Sequence, residues 1–219
     1  MNQAMLVNGC LHDVSRMTSC VSLHRVRRVF ASSISQLRID VELPEQEMER
    51  ELDNLHARWS AQWSDLDIPD GLRLPGQSMS FRMREADGEH FIYVIDMECN
   101  RLAAYIVMSR LIELDRRADR FLRAPHTKVA AAYRRMGIAS TVYRWWLDSG
   151  RSLMSGARQS PAAYELWRSL ARMYASVYVS VAGKRVHALP SPISAQARDD
   201  INTRLVLLGK GCAFETFGR

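Results

Sequence analysis

Cysteine is scarce in this chain and widely spaced. Four cysteines in 219 residues, Cys10, Cys20, Cys99 and Cys212, form no Cys-x-x-Cys pair. That spacing argues against a disulfide framework and a thiolate zinc site, and fits free thiols in a reducing cytoplasm. Six histidines show no metal-ligand spacing, so no structural metal is expected. Long apolar runs are missing too. The best candidates, such as Leu102-Ala103-Ala104-Tyr105-Ile106-Val107-Met108, have the length of a strand and not the ~20 residues of a membrane span. The amino terminus has no basic segment followed by an apolar one, so it does not read as a secretory signal. No internal repeat or low-complexity tract is visible.

Hydrophobic residues make up 47% of the chain, enough for one sizeable core. The expected organisation is one domain over residues 31–219, preceded by a basic segment at 1–30 that is flexible or peripheral. The net charge is +6. Basic residues gather at His24-Arg25-Val26-Arg27-Arg28, at Arg116-Arg117, at Arg120 and Arg123, and at Arg134-Arg135. Such clusters suit a polyanionic partner, nucleic acid among them.

Ile34 to Val41 alternates like a strand. Pro44 suits the first turn of a helix, and Glu45, Glu47, Glu49 and Glu51 favour its positive end. Met48, Leu52, Leu55, Trp59 and Trp63 then recur on one face, up to the turn Ile68-Pro69-Asp70-Gly71. Met79 to Arg84, Phe91 to Met97 and Leu102 to about Leu114 read as an antiparallel meander, with turns at Asp87-Gly88 and Asn100-Arg101. Asp115 to Pro125 reads as a polar, arginine-rich loop. Past residue 160 the pattern gives a helix from Pro161 to about Met173, a hairpin from Ser176 to Leu189, a short helical stretch after Ala195 and a last strand at Leu205 to Leu208.

The most informative stretch is Val129 to Gly156. Val129 to Tyr133 is short and apolar, like a buried strand. Arg134-Arg135-Met136-Gly137-Ile138-Ala139-Ser140 is a turn that opens a helix, which stops at Ser149-Gly150. Leu153-Met154 reads as the next strand. The whole is a βαβ unit. The first N–H groups of a helix lack intrahelical partners and carry the positive end of the macrodipole, so the turn suits an anion such as a pyrophosphate. Gly137 spares the approaching anion a Cβ, and Arg134 and Arg135 add charge.

This stretch resembles motif A of the GNAT superfamily of acetyl-CoA-dependent N-acetyltransferases, a strand followed by Arg/Gln-x-x-Gly-x-Gly/Ala and a helix. Arg134, Gly137 and Ala139 fill its fixed places, Tyr133 stands where an aromatic is usual, and Val129 is its strand valine. Ser160-Pro161-Ala162-Ala163-Tyr164-Glu165-Leu166-Trp167-Arg168-Ser169-Leu170 resembles the family's next motif, roughly Asn-x-x-Ala-x-x-Leu-Tyr-x-x-Leu-Gly. The resemblance spans about Val129 to Leu170. It implies an α/β fold, a central mixed sheet flanked by helices, and acetyl transfer from acetyl-CoA to a primary amine of a small molecule or protein. Val129, Arg134, Arg135, Met136, Gly137, Ile138, Ala139, Ser140 and Ser160 would bind the cofactor. Two parallel strands would splay around the pantetheine arm, here Val129–Tyr133 and Arg151–Ser155.

The chain departs from the family at one place. The family's usual general acid is a tyrosine where Trp167 stands, and an indole N–H is no proton source for a thiolate. Tyr164 or Ser160 would have to serve instead, with Glu113, Asp96, Glu98 or His126 as general base. Three readings follow: an N-acetyltransferase; a GNAT-like enzyme acting on nucleic acid, of the phage or mobile-element type; and a non-catalytic acetyl-CoA-binding module. The first is preferred. The acceptor groove would be built from 44–70, 115–125 and 176–208, and relatives that pair make a homodimer a further expectation.

Overall fold

The computed structural model describes residues 44–218. The N-terminal segment and the strand expected at Ile34 to Val41 lie outside the described residues.

Helix α1 spans Glu45–Trp59, with Pro44 just before its first turn. Its apolar face does what its spacing predicts. Leu52 is buried, and Met48, Leu55 and Trp59 pack onto the same core. A 3₁₀ turn over Ser60–Asp65 carries Trp63 into that core. The meander follows as β1 (Met79–Ala86), β2 (Glu89–Asp96) and β3 (Arg101–Ser109). A short helix, α2 (Arg116–Phe121), is capped by Asp115, whose side chain accepts the Ala118 N–H. Then come β4 (Leu122–Val129), helix α3 (Ile138–Asp148), β5 (Ser152–Met154) and helix α4 (Pro161–Ala171). The chain closes with β6 (Ser176–Ala182), β7 (Arg185–Ala188), α5 (Ala195–Asp199) and β8 (Thr203–Leu207).

The eight strands form one mixed sheet in the order β1-β2-β3-β4-β5-β8-β6-β7. Helices flank it, so the fold is the α/β mixed sheet that the resemblance implied. The pairing of β4 with β5 is parallel. The paired strands on either side of it are antiparallel.

Three boundaries differ from the sequence reading. The strand expected at Val129 to Tyr133 is β4 at Leu122–Val129, and Ala131–Tyr133 is a 3₁₀ turn. The stretch expected as a loop from Asp115 to Pro125 is α2 and the start of β4. The strand expected to reach Leu114 ends at Ser109. The cause is charge. Arg123, His126 and Lys128 interrupt the apolar pattern of β4, yet the fold gives Arg123 and Lys128 partners. Arg123 donates to the Asp119 carbonyl, and Lys128 pairs with Glu51 of α1.

Side chains along a strand alternate between faces, so β4 sorts its residues cleanly. Lys128 faces α1, through Glu51. Thr127 faces α3, where its hydroxyl lies 2.9 Å from that of Tyr143. His126 therefore shares the α1 face. Trp146 of α3 is 1% exposed and anchors the other face, with His90 edge-on at 4.9 Å and the Arg151 guanidinium 3.7 Å from its ring centre.

Candidate active site

The turn between β4 and α3 is built to present backbone N–H groups. Gly137 precedes the helix with φ +84°, and Arg135 has φ +64°. A Cβ on Gly137 would meet only ordinary contacts, to Ser140 Oγ at 3.8 Å and Leu74 Cδ1 at 4.0 Å. The glycine is thus required by its left-handed backbone and not by crowding. No side chain caps α3. The first helical bond from the turn runs from the Thr141 N–H to the Gly137 carbonyl at 2.9 Å. Among the described residues, no N–H from Arg135 through Ser140 donates a hydrogen bond. The Ser140 hydroxyl donates back to the Gly137 carbonyl at 2.9 Å. An uncapped helix start with this many open donors suits an anion. Arg134 lies 3.9 Å from Glu45 and stays exposed. Arg135 forms no ion pair among the described residues.

Beneath the turn, the parallel ladder stops early. β4 and β5 share only Leu122↔Ser152 and Arg123↔Leu153, although β4 runs on to Val129. Beyond that point β5 belongs to β8, and the Ser155 N–H donates to the Leu205 carbonyl at 2.8 Å. The Ala130 N–H donates to Ala103 on the β3 side at 3.0 Å. By alternation, the N–H and C=O groups of Thr127 and Val129 point the other way, into the gap. There they meet no partner among the described residues. Half-exposed backbone groups left unpaired in this way are open to a polar occupant.

The α1 face of the gap is charged but internally matched. Glu51 holds Lys128. Glu49 accepts the Ala131 N–H at 2.7 Å and Arg101 at 2.9 Å. His126 stands beside Lys128 on β4. Burial pushes its pKa below the ordinary histidine value, the Lys128 ammonium lowers it further, and Glu51 opposes. The imidazole is therefore neutral at pH 7 and able to take a proton. The same shift predicts a stability effect. The unfolded chain protonates this histidine near pH 6.5 while the folded chain does not, so stability is present above that pH and is lost as pH falls below it. Urea midpoints measured between pH 7.5 and pH 5 should fall with acidification, and His126→Asn should flatten part of that slope.

The residues expected to act are not all brought together. Val129, Arg134, Arg135, Met136, Gly137, Ile138, Ala139 and Ser140 line the gap end and the turn as described. Ser160 caps α4, its hydroxyl accepting the Ala163 N–H at 3.2 Å. Tyr164, 45% exposed, sits on the first turn of α4. Glu113 is exposed and four residues past the end of β3, the end that pairs with Ala124. The open turn lies past the opposite end of β4, so the structure puts Glu113 away from it. Asp96 accepts the Tyr133 hydroxyl at 2.8 Å and the N–H groups of Glu98 and Cys99 at 2.8 Å and 3.2 Å. The Tyr133 bond, first of these, holds the Asp96 carboxyl below its usual range. That network ties the β2–β3 turn to the start of the anion turn and leaves Asp96 in a positioning role. Trp167 is 4% exposed and packs edge-on against Tyr143 at 6.2 Å. Thr127, Lys128 and Tyr143 carry no local signal, because each is defined by a partner on a distant element.

No protein-family model matches the chain, and no curated protein sequence does. Two solved structures that it resembles are acetyltransferases. One is a GNAT superfamily phosphinothricin acetyltransferase from Sinorhizobium meliloti in complex with AcCoA, 17% identical, with a TM-score of 0.33, over 57% of this chain and 63% of that one. The match thus spans less than two thirds of that enzyme. The other is a spermidine N-acetyltransferase chimera from Vibrio cholerae and hSSAT, 14% identical, with a TM-score of 0.34, over 83% of this chain and 90% of that one. At this overlap neither the activity nor the substrate of those proteins passes to this chain, whose function is argued from its own geometry.

Proposed function

We propose that this chain is an acetyl-CoA-dependent N-acetyltransferase of the GNAT type, acting on a primary amine. The observation that carries the reading is the pairing of two features. One is a helix start with unpaired N–H groups from Arg135 through Ser140. The other, directly below it, is a parallel strand pair that parts and leaves the Thr127 and Val129 backbone unbonded. A pyrophosphate satisfies the first, and a chain of two amides satisfies the second. Coenzyme A carries both at the matching ends of one molecule.

The residues would then divide the work by position. Arg134 and Arg135, with the N–H groups from Met136 to Ser140, hold the pyrophosphate. Thr127 and Val129 bind the pantetheine amides as an added strand would. The thioester comes to rest in the gap, and holding it against the amine supplies most of the rate. His126 faces the α1 side, from which the amine arrives, and takes its proton directly or through a water. Of the 115–125 arginines, Arg117 and Arg123 bond to groups of the protein itself, while Arg116 and Arg120 are exposed.

The test is thiol release from acetyl-CoA, followed with a chromogenic thiol reagent, across a panel of polyamines, amino acids, aminoglycosides and lysine peptides. Amine-dependent release above the hydrolysis background is expected with at least one of these classes. Saturable acetyl-CoA binding with no release for any amine would instead favour a binding module.

A further inference from the structure

Acetyl transfer expels a thiolate, which must end as a thiol. On the α3 face of β4, beside the gap, one pair of hydroxyls stands out. Thr127 lies in the part of β4 that has lost its β5 partner, on the face opposite His126. Its Oγ1 is 2.9 Å from the Tyr143 hydroxyl, and either oxygen can be the donor. Tyr143 is 4% exposed, and Trp167 of α4 closes over it edge-on at 6.2 Å. Among the described residues, no charged group bonds to the pair.

We infer that the Thr127–Tyr143 hydroxyl pair donates the hydrogen bond, and then the proton, to the sulfur leaving the acetyl group. The inference rests on the acetyltransferase reading and adds to it the residues that serve the leaving thiolate. Consecutive residues of one strand thereby serve both ends of the reaction. His126 points to the amine side and Thr127 to the sulfur side. The amine nitrogen bonds to the acetyl carbon, giving a tetrahedral intermediate, and then the C–S bond breaks with its electron pair on sulfur. Sulfur takes the Thr127 proton and Thr127 takes that of Tyr143; once the products leave, Tyr143 regains a proton from solvent and His126 releases to solvent the one it took from nitrogen. The net result is an amide and a thiol, with the protein unchanged. Burial pushes the Tyr143 hydroxyl up to about 12, so the pair is neutral and able to donate across the physiological range. Trp167 packs edge-on against the Tyr143 ring.

The test needs no acceptor. Coenzyme A itself is bound to the full chain, and its thiolate is followed by ultraviolet absorbance as pH is raised. A donor aimed at the sulfur stabilises the thiolate, so the bound thiol should titrate below that of free coenzyme A measured alongside. Tyr143→Phe should raise that midpoint by about one unit, a tenfold drop in thiolate fraction at fixed pH, while calorimetric affinity for acetyl-CoA stays within about threefold. Thr127→Val should raise the midpoint likewise, and stands in if the phenylalanine variant fails to fold. Thr127→Ser should restore the wild-type midpoint. An identical midpoint in wild type, Tyr143→Phe and Thr127→Val overturns the inference and leaves the acetyltransferase reading intact. A folded wild-type chain that binds no coenzyme A overturns both.

Discussion

Asp119→Ala should unfold this protein more readily than any surface substitution, lowering its stability by about 3–5 kcal/mol. Asp119 is only 6% exposed. One carboxylate oxygen accepts both Nε and Nη2 of Arg110, at 2.9 Å and 2.7 Å, and the other accepts the Leu111 N–H at 2.8 Å. Arg123 stands 3.8 Å away, with a side chain 15% exposed. The carboxylate thus joins the end of β3, helix α2 and the start of β4. Truncation leaves the Arg123 guanidinium without its counter-charge and the Leu111 N–H without an acceptor, and stranded buried groups cost more than the contact itself is worth. At roughly 2–4 °C per kcal/mol for a chain of this size, the melting temperature should drop by about 10 °C. Asp119→Asn should cost less, since the amide oxygen can still accept one of these bonds. A drop under about 1 kcal/mol for the alanine variant, measured by urea unfolding, would show that the network adds little.

Gly137→Glu should abolish acetyl-CoA binding, with an affinity loss of at least about a hundredfold. Two effects add. A side chain at φ +84° costs about 1–2 kcal/mol, which the turn can escape only by moving its N–H groups. A carboxylate at the helix start also sits where the phosphate charge belongs and competes for the same donors. Gly137→Asn separates the two. Asparagine tolerates the left-handed region and brings no charge, so it should keep most of the affinity. If glutamate and wild type bind alike by calorimetry, the pyrophosphate does not lie at this turn.

The sequence made the βαβ unit legible because its signals are local. A glycine before an apolar helix, two arginines and a Ser-Gly stop are all read within a few residues, and Gly137 does adopt the positive φ that only glycine takes readily. The meander was legible for the same reason, as strand alternation and short turns need no distant partner. β4 was not, because its middle reads as charged until Glu51, seventy-seven residues upstream of Lys128, is known to neutralise it. The acidic run of α1 shows the same limit. In sequence it looked like compensation for a helix dipole. In the fold Glu49 and Glu51 fasten α1 to the sheet beside the gap.

Candidate catalytic residues were the least legible part. Glu113 looked plausible only while β3 was thought to run to Leu114. Once that strand ends at Ser109, the carboxylate lies at the far end of the sheet from the open turn. Trp167 looked like a missing acid. Its packing against Tyr143 explains the indole as a cover over a hydroxyl that comes from another helix. Nothing within a short window could reveal that hydroxyl, because Thr127 and Tyr143 are sixteen residues apart on different elements.

The most direct measurement is an isothermal titration of acetyl-CoA into the full chain. Saturable one-to-one binding, weakened by added salt as phosphate contacts require, is the predicted result. A well-folded chain that gives no binding heat at several temperatures would contradict the account, since the unpaired N–H groups at the start of α3 would then have some other purpose.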